Sequence, residues 1–275
     1  MLLSITTQCN LSCPWCIGKF DKREYKEKIN SVINKDTENL IITNIKKLHN
    51  KTLTISGGEP LLYPEIVKRI ITKCRKEFGD SFRIDVLTNG LLLDKELVDF
   101  FNNNNIYLSI SLSIFGYKGI LNLINKAKCP DILVNLFRNL KYKRFHIVID
   151  KDISFAKEAL LLYNLYQCPI EYTPNLIDAF HYDDNDLEFI RKEIKILKTL
   201  SKDLSWFKLL YGRTKFCTCT NENLVLDTDG NLSICQPVHG PMYGCKSAHY
   251  RMGNDIYNQY CVIVSNLIND TRKNP

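Results

Sequence analysis

Short apolar runs alternate with amphipathic stretches of helix length through the first two thirds of the chain, and this alternation restricts the fold more than any other feature. Residues 2–6, 52–55, 82–87, 106–112, 145–149 and 169–172 read as strands. Helices are expected between them. One begins near Asp36 with Leu40, Ile41, Ile45 and Leu48 on its apolar face; the next opens at Pro64 with Ile66, Val67, Ile70, Ile71 and Cys74 on one side. Others run from about Asp94 to Asn102, from near Asp131 with Leu133, Leu136, Phe137 and Leu140 in step, and from Ser154 to Tyr166. A strand, a helix and a second strand connect by a right-handed crossover into a parallel sheet, which gathers ligand sites at the strands' carboxyl ends. Six strands of this kind suit an α/β fold of the partial (β/α)6, TIM-like barrel type, with an open doubly wound sheet as the alternative that periodicity leaves standing.

The character of the chain changes near residue 183. Asp183, Asp184 and Asp186 start a helix running to about Leu200, an apolar segment covers 204–211, and then come Cys217, Cys219, Cys235, Cys245 and Cys261. Between the second and third of these cysteines, two apolar arms flank Asp229-Gly230-Asn231, a hairpin signal. The expected organisation is therefore a barrel domain over 1–182 and a small β-hairpin/helix domain over 183–275.

Cysteine usage supports metal binding. Eleven cysteines is an odd number in a chain of 275 residues with 45% apolar content, which has core enough to need no disulfide staples. Ligation in a reducing compartment fits better, while Cys74, Cys129 and Cys168 sit singly and read as small buried hydrophobes. Cys9, Cys13 and Cys16 lie within eight residues, directly after the first strand. Four thiolates close a zinc site or fill an iron-sulfur cluster, whereas three leave one iron open for chemistry.

The net charge of +7 is scattered, with one cluster at Lys22, Arg23, Lys26 and Lys28 and another at Lys141, Lys143 and Arg144. No basic stripe with interleaved aromatics is evident, so nucleic acid is not an expected partner. Neither a membrane-spanning apolar run nor a secretory leader is visible, and the expected location is cytoplasmic.

The CX3CX2C spacing of Cys9, Cys13 and Cys16 resembles that of radical SAM enzymes, and other segments resemble that family in the same order. Trp15 occupies the family's usual aromatic position near the adenine; Gly57-Gly58-Glu59-Pro60 matches its GGEP segment, and Thr88-Asn89-Gly90 its TNG-type segment. Ser111, with Ser109 and Ser113 as neighbours, matches a serine that hydrogen-bonds the ribose or carboxylate of S-adenosylmethionine (SAM). Gly230 followed by Cys235, preceded by Cys217 or Cys219, is similar to the opening of the SPASM extension in its short, twitch form.

The resemblance implies a 4Fe-4S cluster on the first three cysteines, with SAM on its open iron. GGEP would receive the SAM ammonium, and an auxiliary 4Fe-4S cluster would draw on Cys217, Cys219, Cys235, Cys245 and Cys261. Zinc is the alternative occupant of that second site. The activity implied is cleavage of SAM to a 5'-deoxyadenosyl radical, hydrogen abstraction and a net oxidation, with an external electron donor such as flavodoxin or ferredoxin.

A chain that starts at its first strand, with no leader-binding segment ahead of it, points toward a small-molecule substrate such as an alcohol or sugar. A peptide maturase is the alternative, and a non-enzymatic iron-sulfur or zinc protein a remote one. Asp152, Glu171, Arg213, His239 and His249 are polar candidates for gripping or deprotonating a substrate, and the sequence assigns none of them a catalytic role.

Overall fold

Where apolar residues recur with period two the chain forms strands, and where they recur every third or fourth residue it forms helices. The computed structural model describes residues 1–11, 13, 31–47, 52–111, 130–149, 154–174, 184–201, 207–209, 225–226, 228 and 232–233. In chain order the elements are β1 (Leu2–Ser4), α1 (Lys35–Lys47), β2 (Thr52–Ser56), α2 (Pro64–Phe78), β3 (Arg83–Thr88), α3 (Lys95–Asn103), β4 (Tyr107–Ser111) and α4 (Pro130–Asn139). There follow β5 (Lys143–Ile149), α5 (Phe155–Tyr166), β6 (Ile170–Pro174), α6 (Asp184–Leu200), β7 (Phe207–Leu209), β8 (Val225–Leu226) and β9 (Leu232–Ser233). Among the described residues no helix is long and apolar enough to cross a membrane.

Two compact units form. The first holds β1 to β3, β4 as far as Ile110, α1 to α3, the chain from Leu133 to Lys143 and the β8–β9 hairpin. Its strands lie in the order β4-β3-β2-β1-β8-β9. The β1–β2, β2–β3, β3–β4 and β1–β8 pairs are parallel, and β9 runs antiparallel to β8. The hairpin expected around Gly230 is therefore present, and its first strand lies against β1 with Leu2 opposite Val225 and Leu3 opposite Leu226.

Leu3, Leu53, Ile55, Ile84, Val86, Leu108 and Ile110 are buried, as are Val67, Ile70, Ile71 and Cys74 of α2 and Leu97, Val98 and Phe101 of α3. Cys74 is thus the small buried hydrophobe expected, and burial pushes its thiol up to about 12. On α1 the expected face is narrower: Ile41 and Ile45 are buried, but Leu40 is 44% exposed, because a step of one residue turns a side chain about 100° around the helix. The Asn34 side chain accepts from Thr37 N at 2.8 Å to open α1, and Asp94 accepts from Leu97 N at 2.8 Å to open α3.

In the second unit β5, β6 and β7 pair in parallel, with Phe145 opposite Ile170 and Ile170 opposite Phe207. The apolar segment at 204–211 therefore supplies a further strand, and α6 lies in the chain between it and β6. Cys168 is buried here. The start of α5 is capped from outside, since Glu193 of α6 accepts from Ser154 Oγ and Ala156 N, both at 2.9 Å. Glu158, one turn further on, is 1% exposed and its Oε1 has no hydrogen-bond partner.

Burial alone pushes the Glu158 carboxyl up to about 8. A carboxyl raised above its unfolded value of about 4.3 binds its proton more tightly in the native state, so its contribution is complete in acid and is lost as pH rises toward the folded value. Relative to Glu158→Gln, the unfolding free energy of the unmodified chain should therefore fall between pH 5 and 8, by on the order of 1 kcal/mol per pH unit. Urea unfolding of both proteins at several pH values measures this, and parallel curves would refute it.

Candidate active site

Beyond β1 the chain continues through Thr6, Thr7 and Gln8 into Cys9, and beyond β2 it enters Gly57-Gly58-Glu59. These two exits stay bonded to each other. Ile5 N donates to Ser56 O at 3.0 Å, Gly58 N to Thr6 O at 2.7 Å and Glu59 N to Gln8 O at 2.7 Å, so the parallel ladder runs past the ends of both strands. A Cβ on Gly57 would lie 2.4 Å from Thr6 O, and one on Gly58 would lie 2.0 Å from Gln8 O. Both glycines are thus required by the chain's own backbone, before any ligand is considered. Tyr63 adds a further tie, its hydroxyl donating to Gln8 Oε1 at 2.8 Å.

Glu59 is 1% exposed and joins this turn to the one after β3. Its Oε1 accepts from Leu61 N at 2.9 Å and from Thr88 Oγ1 at 2.6 Å, and its Oε2 accepts from Asn89 N at 2.8 Å. Burial pushes the carboxyl upward, and the donors at Asn89, Thr88 and Leu61 oppose that shift without cancelling it. Pro60 follows, buried, at the start of a short 3-10 turn over Pro60–Leu62.

Asn89 reaches the cysteine loop. Its Nδ2 donates to Asn10 Oδ1 at 2.8 Å while its Oδ1 accepts from Leu91 N at 3.0 Å. Gly90 has φ +76°, and a Cβ there would meet Ile110 Cγ2 at 3.0 Å and the Phe137 ring at 3.1 Å, so turn geometry and packing both demand glycine. Asn10, Gln8 and Tyr63 went unremarked in the sequence; the only signal was the position of the first two beside Cys9.

Cys9 and Cys13 are half-buried, and Leu11 N donates to Cys9 Sγ at 3.4 Å. An amide directed at a cysteine sulfur suits a thiolate that ligates iron, whose potential such bonds tune. Trp15, Cys16, Cys217, Cys219, Cys235, Cys245 and Cys261 lie outside the described residues, as do Ser113, Cys129, Asp152, Arg213, His239 and His249.

Of the two described serines on β4, Ser109 is 2% exposed and its hydroxyl has no hydrogen-bond partner among the described residues, whereas Ser111 is half-buried at the strand's end. A buried hydroxyl without a partner is costly unless something bonds it, so Ser109 is the residue of this pair that fits a polar ligand. In the second unit Glu171 forms an ion pair with Arg144 at 2.9 Å and stands opposite His146 across the β5–β6 pair. Burial, together with the Arg144 charge, pushes His146 down to about 4.

Comparison with known proteins converges on one family. A family model of the Radical SAM superfamily matches residues 3–150, more than half of the chain. The radical SAM cyclopropyl synthase TigE of Paramaledivibacter caminithermalis is 24% identical over 92% of this chain, which spans 58% of the synthase. Streptococcus suis SuiB bound to precursor peptide SuiA aligns over 89% of this chain and 61% of its own at a TM-score of 0.63 and 14% identity. Native anSMEcpe with bound AdoMet and the Kp18Cys peptide aligns over 87% of this chain and 75% of its own, also at 0.63, with 17% identity. Both likenesses show the fold, the α/β arrangement of a partial TIM-like barrel.

Gly58→Ala should destabilise the chain by about 3 kcal/mol, because its Cβ meets backbone that cannot rotate away. Gly79→Ala, at φ +72°, ψ −173° with nothing within 4 Å of the new Cβ, should carry a purely conformational cost of about 1–3 kcal/mol. Urea unfolding measures both losses, and a loss at Gly58→Ala below about 1 kcal/mol would show that the close approach there is not a constraint.

Proposed function

The chain belongs to the radical SAM superfamily, a membership that implies SAM and a 4Fe-4S cluster, and on that premise we propose how its residues share the work. Cys9, Cys13 and Cys16 hold the cluster, and Trp15 lies against the adenine. Gly57, Gly58, Glu59 and Pro60, with Thr88 and Asn89, form the wall that receives the SAM ammonium. Ser109 supplies the hydroxyl for its ribose or carboxylate, with Ser111 further along the same strand.

The observation that carries this reading is the ladder that binds the approach to Cys9 directly onto Gly58 and Glu59. Glu59 already accepts three hydrogen bonds, so it acts by holding Thr88 and Asn89 in place while the backbone of the turn faces the ligand. When bound, the cofactor pair supplies one-electron cleavage of SAM and abstraction of a hydrogen atom. The protein's part is orientation and the exclusion of water.

The overall reaction we propose is a net oxidation in which Cys217, Cys219, Cys235, Cys245 and Cys261 provide the ligands of an auxiliary 4Fe-4S cluster. If bound, that cluster would supply a one-electron acceptor for the oxidation, the accompanying proton leaving to solvent. The β8–β9 hairpin, flanked in sequence by Cys219 and Cys235, supports a twitch-like domain of this kind. An external donor such as flavodoxin or ferredoxin would supply the electron that starts the reaction, and the enzyme works in the cytoplasm.

A peptide is the substrate class with the more specific support, since SuiB and anSMEcpe have both been seen with peptides in this fold. A small alcohol or sugar is the competing class. Anaerobic incubation with separated peptide and small-molecule fractions, read for SAM-dependent loss of two hydrogens, decides between them.

Reconstituted protein should hold about eight irons, four per cluster, and release 5'-deoxyadenosine from SAM under reductant. Cys235→Ala should lower the iron to about four and abolish oxidised product while SAM cleavage continues. Iron analysis and chromatography of the nucleoside measure both effects. Product formation that survives the substitution would remove the auxiliary cluster from the reaction.

A further inference from the structure

We infer that Thr228, in the C-terminal hairpin and outside the stretch 3–150 that the family model matches, is a positioning residue for the loop that carries Cys9 and Cys13. The inference rests on the cluster assignment above and extends it to a residue that assignment does not use.

Two steps connect Thr228 to the loop. Ser31 faces the segment before Cys9: its carbonyl accepts from Thr7 N and from Thr6 Oγ1, both at 3.0 Å, and its own N donates to Thr7 Oγ1 at 3.0 Å. The Ser31 hydroxyl is in turn paired with Thr228 Oγ1 at 2.6 Å. Thr228 is held as well, because Thr37 Oγ1 donates to its carbonyl at 3.5 Å and it is 4% exposed.

Thr6, Thr7 and Gln8 therefore run between two walls. Gly58 and Glu59 form one, and Ser31, backed by Thr228, forms the other. Removing the Thr228 hydroxyl leaves the part-buried Ser31 hydroxyl with a contact to Thr7 Oγ1 at 3.5 Å in place of one at 2.6 Å. Ser31, which bonds Thr7 through its N–H and its carbonyl, then loses the bond that holds it from behind, and Thr7 lies two residues ahead of a cluster ligand. Groups that orient metal ligands from behind commonly change affinity or activity by about ten- to a hundred-fold when removed.

The test compares the full chain with Thr228→Val, which keeps the shape and loses the hydroxyl, and Thr228→Ser, which keeps the hydroxyl. In the metal-free chain, Thr228→Val should raise amide hydrogen exchange over residues 5–10 and 31–34 about five-fold, the loss of one hydrogen bond, with residues 83–111 unchanged. After anaerobic reconstitution, the electron paramagnetic resonance signal of the reduced N-terminal cluster should respond differently to SAM in Thr228→Val, and Thr228→Ser should restore both readouts. Unchanged exchange over residues 5–10, or an equal rise across residues 83–111, overturns the inference, and so does a cluster signal identical to that of the unmodified chain. If the unmodified chain assembled no cluster, the cluster assignment would fail while the exchange result still stood on its own.

Discussion

Two backbones that approach too closely for a side chain organise this site. The ladder that pairs β1 with β2 does not stop where the strands stop; it continues through Thr6 O and Gln8 O into Gly58 N and Glu59 N. Such an approach leaves no room for a Cβ at Gly57 or Gly58. The cysteine loop consequently departs from a fixed ladder, and two motifs some fifty residues apart in sequence behave as one object. A loop launched in this way would lose little further entropy on closing its thiolates around the proposed cluster, which is what pre-organisation contributes to binding.

Glu59 extends the same object to a third strand exit. A buried carboxyl is costly unless donors surround it, and here Leu61 N, Thr88 Oγ1 and Asn89 N do so. An amide in its place would direct a donor at one of these donors, so the acid is chosen for having two acceptors and no N–H. Asn89 then passes the connection to Asn10, beside Cys9. Three loops that each look like an isolated turn are joined by side-chain bonds, and Ser109, in the same unit, is buried with no hydrogen-bond partner for its hydroxyl among the described residues.

Much of this was legible in the sequence, for reasons of range. The strand and helix alternation, Pro64 at a helix start, Asp94 as a cap and the Gly230 hairpin all depend on neighbours within a few residues, and they stand where periodicity puts them. The apolar segment at 204–211 was visible, but its membership of a parallel pair with β6 depends on a distant partner. The same limit explains the start of α5: Ser154 looks like its cap, yet Glu193 performs that task from another helix. Nothing in a pair of adjacent glycines says which backbone approaches them, and the backbone nearest to Gly57 and Gly58 is the chain's own. Leu40 shows a smaller failure of the same kind, since an apolar residue one position out of phase faces solvent without disturbing the pattern.

The placement of β8 against β1 changes how the two halves of the chain depend on each other. β1 has three residues, and in the first unit it would be an edge strand if β8 were absent. Short edge strands fray and slip in register, and a one-residue slip turns every side chain to the opposite face. Here Leu2 and Leu3 are paired on both sides, to Thr54 and Ile55 of β2 and to Val225 and Leu226 of β8. The strand that delivers Thr6, Thr7 and Gln8 to the cysteines is therefore interior, and the residues that make it so lie more than two hundred positions later in the chain. Any division into an N-terminal cofactor module and a C-terminal appendage has to keep this hairpin with the first, because the register of the cysteine loop is set by strands from both.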